Sequence, residues 1–275
     1  MQRSGTDDQI MEASLDAVCS QLHRQTCIYQ VCSSSGVTGS GVMVRLGDKL
    51  LVATVGHTLR DCDSVEICGC PAKGIPVIRA IVTGRKHIEG KLDIGILEVP
   101  SEFAHLVEDY IHESRISPDL SLSDGQLLIV AGYPDDAQVS LASSTNLAVC
   151  NTLHAPILPH SQWPDNLSPM PDRNESFLLK YPEVGTRSVC GPHGPVQPGV
   201  VSSAYPKPRG LSGGGIWYPY ITESPETGLQ VPSARLLGIQ ASMYEKKRLL
   251  RGVHIRKWLE YVDDIYPNLR KKGSR

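Results

Sequence analysis

The feature that most limits what this chain can become is a succession of short apolar runs, each closed by turn residues. In the first hundred residues they fall at 28–32, 41–46, 50–55, 65–67, 77–82 and 92–99. A second series covers 126–131, 139–149, 177–181, 216–218 and 234–239. Close-spaced runs without helical periodicity between them predict strands in an all-β sandwich or barrel. Helical spacing appears only at the ends, at 8–23 (Ile10, Leu15, Val18, Cys19, Leu22) and 253–265 (Val253, Ile255, Trp258, Leu259, Val262, Ile265). Two stretches rich in proline or glycine, 151–175 and 182–209, are expected to be irregular connections, the first long enough to carry function.

Composition narrows the function classes. A net charge of -2 gives no bulk attraction to nucleic acid or to an anionic membrane, and Arg270-Lys271-Lys272 is expected to be a solvated tail. Residues 1–20 are polar without an apolar core segment, and no run of about 18 apolar residues occurs. A cytoplasmic protein with its eight cysteines as reduced thiols is therefore expected. Cys62, Cys68 and Cys70 lack the paired C-x2-C units of zinc sites, and Cys27 and Cys32 fall on opposite faces of one strand, so no metal is assigned.

The stretch Gly210-Leu211-Ser212-Gly213-Gly214-Gly215-Ile216-Trp217 allows two readings. It is either a glycine-rich hairpin with an incidental serine or a nucleophile presented on a tight turn. In the second case, closely approaching backbone N–H groups would stabilise an oxyanion. A neutral serine needs a base, and the base needs an orienting group. His57 follows directly on an apolar strand in A-T-V-G-H-T, and Asp93 lies within another in L-D-I-G-I-L. A carboxylate so placed is costly unless it accepts hydrogen bonds, and an imidazole N–H would serve.

In that order, His57, Asp93 and Ser212 with their flanking motifs resemble the trypsin-like (chymotrypsin-fold) serine peptidases, nearest in texture to the bacterial trypsin-like and HtrA-type branch. The resemblance spans roughly 25–265. It implies two six-stranded-type antiparallel β-barrels with an N-terminal and a C-terminal helix. The divisions would be a helical extension over 1–24, a first barrel over 25–115 with His57 and Asp93, a second over 116–252 with Ser212, and a helix and tail over 253–275. It further implies a serine endopeptidase without cofactor: His57 as general base then acid, Asp93 as its orienter, Ser212 as nucleophile, and the N–H groups of Gly210 and Ser212 as oxyanion hole. The partners implied are a protein or peptide substrate and, by analogy, a regulatory protein in a proteolytic or defence pathway. Gly132-Tyr133-Pro134 resembles a turn of the same branch, and Gly252-Val253-His254 its last strand.

Departures from the family pattern matter. Leu211 stands where secreted relatives carry an acidic residue that pairs with a newly cut N-terminus, so activation by that pair is not expected. The substrate pocket is expected near Pro206 and Arg209, with walls near Ala241, Ser242, Met243 and Gly252. Pro206 replaces a pocket carboxylate, which argues against a Lys/Arg preference. Met243 narrowing the pocket for small or apolar side chains competes with Arg209 and His254 attracting acidic ones. The G-x-S-x-G pattern of α/β-hydrolases is also met, but Pro-Lys-Pro-Arg before the serine and Gly-Gly-Gly-Ile-Trp-Tyr-Pro after it do not make that fold's strand and helix. The non-enzymatic alternative is a silent binding or sensor module on the same fold.

Overall fold

The computed structural model describes residues 28–33, 38–60, 65–68, 79–82, 85–107, 110–134, 139–140, 146–147, 150–181, 185–191, 194–197, 201–202, 208–224 and 227–270. The expected N-terminal helix, Cys27, Cys62, Cys70, Pro206 and Lys271-Lys272 lie outside them.

The first sheet holds β1 (Ile28–Ser33), β2 (Thr38–Leu46), β3 (Lys49–Val55), β4 (Val65–Cys68), β5 (Arg79–Val82), β6 (Lys86–Glu89) and β7 (Ile94–Val99) in the order β5-β4-β1-β2-β3-β7-β6. All these neighbours pair antiparallel, and β8 (Ile111–His112) runs parallel beside β2. The second sheet is built from β9 (Leu127–Gly132), β12 (Cys150–Pro156), β13 (Ser176–Lys180), β14 (Gly185–Gly191), β15 (Gly194–Gln197), β17 (Gly215–Glu223), β18 (Gln230–Tyr244) and β19 (Leu249–His254). Its order is β13-β19-β18-β17-β9-β12-β14-β15, with β16 (Val201–Ser202) on β14; β10 (Val139–Ser140) and β11 (Asn146–Leu147) form a separate hairpin. The expected all-β architecture forms, with two large sheets, antiparallel apart from β8, consistent with the two expected barrels.

The strand sequences explain where the core sits. In β3 every residue after Lys49 is buried, so successive side chains feed two cores. Leu51, Ala53 and Val55 join a cluster with Ile129, Trp217, Ile239 and Val253 of the second sheet, whereas Leu50 and Val52 pack with Tyr29 and Met43 inside the first. Leu128, Val130, Phe177, Leu211, Ile216 and Leu250 form the second sheet's own core. The shared cluster is thus a seam between the sheets. Helix α2 (Ile255–Ile265) closes one end of it with Ile255, Trp258, Leu259 and Val262, and the Trp258 indole N–H donates to the Gly95 carbonyl at 3.0 Å.

Several expected boundaries are corrected. Residues 151–156 are strand rather than loop, because Leu153 and Ala155 alternate into the core while the backbone pairs with β9 and β14. The stretch 182–209 contains β14, β15 and β16; these polar residues are held by ladder pairing, which a search for apolar runs passes over. Asp93 precedes β7 instead of lying within it, since its φ of 60° is left-handed and breaks the strand. Val253 and His254 finish β19 before α2 starts.

Candidate active site

His57 is carried on a single helical turn, α1 (Gly56–Arg60), immediately after β3. Its Nδ1 lies 2.6 Å from Asp93 Oδ2, its backbone N–H donates to Asp93 Oδ1 at 2.9 Å, and the Gly56 N–H donates to the Asp93 carbonyl at 3.0 Å. With the Nδ1 proton shared with the carboxylate, Nε2 is the nitrogen left to accept a proton. The left-handed backbone at Asp93 is what lets carboxylate and carbonyl both face the start of α1. A Cβ on Gly56 would stand 3.0 Å from Asp93 Oδ1 and 2.7 Å from Ile88, so only glycine permits the approach. The His57 side chain is 42% exposed and that of Asp93 24%, which leaves the imidazole open to an incoming molecule.

The second sheet holds the same turn from behind. Buried Arg251 donates from Nη2 to the Leu92 carbonyl at 2.7 Å, and Lys91 pairs with Glu175 at 3.2 Å. The backbone of Glu175 in turn accepts the His254 N–H.

Ser212 sits on the turn leading into β17, between Gly210 (φ 88°) and Gly213 (φ 89°), both in the left-handed region that glycine enters without strain. Its carbonyl accepts the Ser40 N–H at 2.7 Å, and the Ser40 hydroxyl donates to the Gly210 carbonyl at 2.8 Å. A Cβ on Gly39 would stand 2.6 Å from Thr58 and 3.2 Å from the Ser212 carbonyl. Gly39 is therefore the spacer between the residue after His57 and the Ser212 turn. Among the described residues, the N–H groups of Gly210 and Ser212 have no hydrogen-bond partner.

The expected pocket residues fall as follows. Ala241 is buried at a bulge between Gln240 and Ser242, Ser242 and Met243 are half-buried, and Arg209 is exposed. A Cβ on Gly252 would meet Ile216 and Phe177 at 2.6 Å, so this wall is backed by solid core. Burial, reinforced by Arg256, His160 and Lys257, pushes His254 down to about 4. The ring is thus uncharged at neutral pH and does not attract acidic groups as a cation. Ser40, Thr54 and Arg251 were not singled out from the sequence; for Ser40 the signal was the Gly-Ser pair at 39–40, where small residues admit the Ser212 turn. Among the described residues there is no group of three His, Cys, Asp or Glu side chains suited to a metal, and no helix is long and apolar enough to cross a membrane.

No family model and no curated protein matches the chain. Solved structures do. A scabies mite inactivated protease paralogue aligns with a TM-score of 0.52 at 11% identity, over 90% of this chain and 97% of that one. The serine endoprotease from Yersinia pestis aligns with a TM-score of 0.51 at 11% identity, over 95% and 67% respectively. The class these likenesses define is a fold: two antiparallel β sheets in the trypsin-like, chymotrypsin-type arrangement.

Proposed function

We propose that the chain is a serine endopeptidase of the trypsin-like kind. Ser212 Oγ attacks the scissile carbonyl while His57 Nε2 takes its proton, and Asp93 holds the imidazole in the required tautomer. The resulting oxyanion is received by the N–H groups of Gly210 and Ser212. His57 then protonates the leaving amine, and water hydrolyses the acyl-enzyme by the same steps in reverse. The observation that carries the reading is the doubly hydrogen-bonded His57–Asp93 pair, followed directly by Thr58, which Gly39 alone separates from a Ser212 turn whose two N–H groups have no partner among the described residues.

Membership of the HtrA-type branch extends the same proposal on the sequence resemblance, and a cytoplasmic site of action extends it on the reading of the eight cysteines as reduced thiols. The pocket is assigned to Arg209, Pro206, Ala241, Ser242, Met243 and Gly252. With His254 neutral, an acidic preference would rest on Arg209, against a small apolar preference set by Met243. A second reading, a silent binding module, has one observation in its favour: the scabies mite neighbour is an inactivated paralogue, so this fold occurs without turnover.

The experiment is digestion of a proteome-derived peptide library by the wild type and Ser212→Ala, with fluorophosphonate labelling alongside. Cleavage and labelling by the wild type alone are expected, without a Lys or Arg preference. A folded wild type that neither cleaves nor labels leaves the silent module as the correct reading.

A further inference from the structure

We infer that Ser40 is a positioning residue for this site: its buried hydroxyl pins the Gly210 carbonyl and so holds the turn 210–212 in its anion-binding form. The inference rests on the peptidase reading of Ser212.

Ser40 lies in β2 of the first sheet, is fully buried, and has every polar atom engaged. Its hydroxyl donates to the Gly210 carbonyl at 2.8 Å and accepts the Tyr133 N–H at 2.8 Å. Its N–H donates to the Ser212 carbonyl at 2.7 Å, and its carbonyl accepts the Thr54 hydroxyl at 2.7 Å. One residue of the first sheet therefore grips both carbonyls that flank Leu211.

The consequence follows from the planarity of successive peptides, in which N–H and C=O point opposite ways. The peptide joining Gly210 to Leu211 is fixed at both ends, by Ser40 at its carbonyl and by the Pro208 carbonyl at its N–H, 3.0 Å away. The peptide joining Ser212 to Gly213 is fixed likewise, by the Ser40 N–H and by the Gln240 carbonyl at 2.8 Å. Between them, the Leu211 carbonyl accepts the Gly214 N–H at 2.7 Å. The Ser212 N–H must point the other way, away from Gly214, and on the peptidase reading it is a donor left for the oxyanion.

Among the described residues, the Ser40 and Thr54 hydroxyls are the side-chain members of this lattice, and it is the Ser40 hydroxyl that hydrogen-bonds the turn 210–212 itself. The enclosure is tight, since a Cβ on Gly213 would stand 1.9 Å from the Ser40 carbonyl oxygen and one on Gly132 2.8 Å from its Oγ. Leu211, fully buried in the second core, anchors the middle of the turn without charge. The latch is thus made of neutral groups and needs no ion pair. Removing the Ser40 hydroxyl takes from the Gly210 carbonyl its side-chain donor, and a glycine at φ 88° turns readily to find another partner.

The test compares wild type, Ser40→Ala and Thr54→Val for the rate at which a fluorophosphonate modifies Ser212, measured as a function of pH on protein shown to be folded by circular dichroism. Ser40→Ala is expected to lower the plateau rate by about 10–100-fold. The midpoint of the pH profile, which reports the base, is expected to stay in place. Thr54→Val, which removes only the buttress behind Ser40, is expected to fall in the same direction by less. A plateau within twofold of wild type for folded Ser40→Ala overturns the inference, as does a loss accompanied by a displaced midpoint. If Ser40→Ala does not fold, an unchanged rate in Thr54→Val overturns it. Wild type that neither labels nor cleaves peptides overturns the peptidase reading first and the latch with it.

Discussion

The two halves of the candidate site are held by different physics. The His57 half depends on a charge: a carboxylate, a left-handed backbone at Asp93 and an imidazole 42% open to solvent. The Ser212 half is neutral, with two left-handed glycines, fully buried Ser40 and Leu211, and a chain of backbone hydrogen bonds. A group that must exchange protons needs solvent access and a charged partner. A group that must present fixed N–H donors needs enclosure, because any local rearrangement re-aims them. Damage to the first half should therefore appear in rate, and damage to the second in rate and stability together.

The largest separation is expected from Asp93→Asn. It keeps the shape while favouring the wrong imidazole tautomer, so turnover should fall about 10⁴-fold with little change in melting temperature. Steady-state kinetics on the best library peptide, together with a thermal melt, check both parts. A comparable loss of stability would mean that Asp93 is chiefly a fold residue.

Next comes Gly213→Ala. The new Cβ would occupy a left-handed position 1.9 Å from the Ser40 carbonyl oxygen and 2.3 Å from Thr54 Oγ1. Neither backbone nor buried hydroxyl can yield at that distance, so a loss of roughly 3 kcal/mol or more is expected by denaturant unfolding. Retention of wild-type stability would show that the turn is looser than its hydrogen bonds indicate.

Legibility in the sequence followed the same division. The charged half was readable because His57 and Asp93 are chemically conspicuous and sit at the ends of strongly apolar strands. The position of Asp93 just outside β7 was not, since a φ of 60° leaves no mark in a run that reads Leu-Asp-Ile-Gly-Ile. Ser212 was marked by its glycines, but its support was not: Ser40 is one small residue 172 positions earlier, and only the folded register of β2 brings it to the turn. Strands β14 and β15 escaped for a related reason. Their pairing lies in the backbone, whose hydrogen bonds are indifferent to the polar side chains of Thr186-Arg187-Ser188.

Acid sharpens the comparison through His254 at the end of β19. His254 titrates at about 4 when folded because burial disfavours its cation, against about 6.5 for a histidine in an unfolded chain. Between those values the unfolded chain binds the extra proton, so this contribution is complete above pH 6.5 and is lost as the pH falls to 4. The total is up to about 3 kcal/mol. Melting temperature measured across that window should drop in wild type and drop less in His254→Phe, which keeps an aromatic ring beside Phe177. Equal slopes in the two proteins would place the acid sensitivity elsewhere.

The smallest effect is expected where the two halves meet on the surface. Lys91 pairs with Glu175 at 3.2 Å, but the lysine side chain is 71% exposed, so solvent screens most of the attraction. The buried hold on the same turn is the bond from Arg251 Nη2 to the Leu92 carbonyl, made by a guanidinium whose Nε has no partner among the described residues. Lys91→Met should therefore cost no more than about 0.5 kcal/mol and leave the pH profile of turnover unmoved. A larger loss, abolished by raising the salt concentration, would mean that the surface pair and not Arg251 keeps the Asp93 turn against the second sheet.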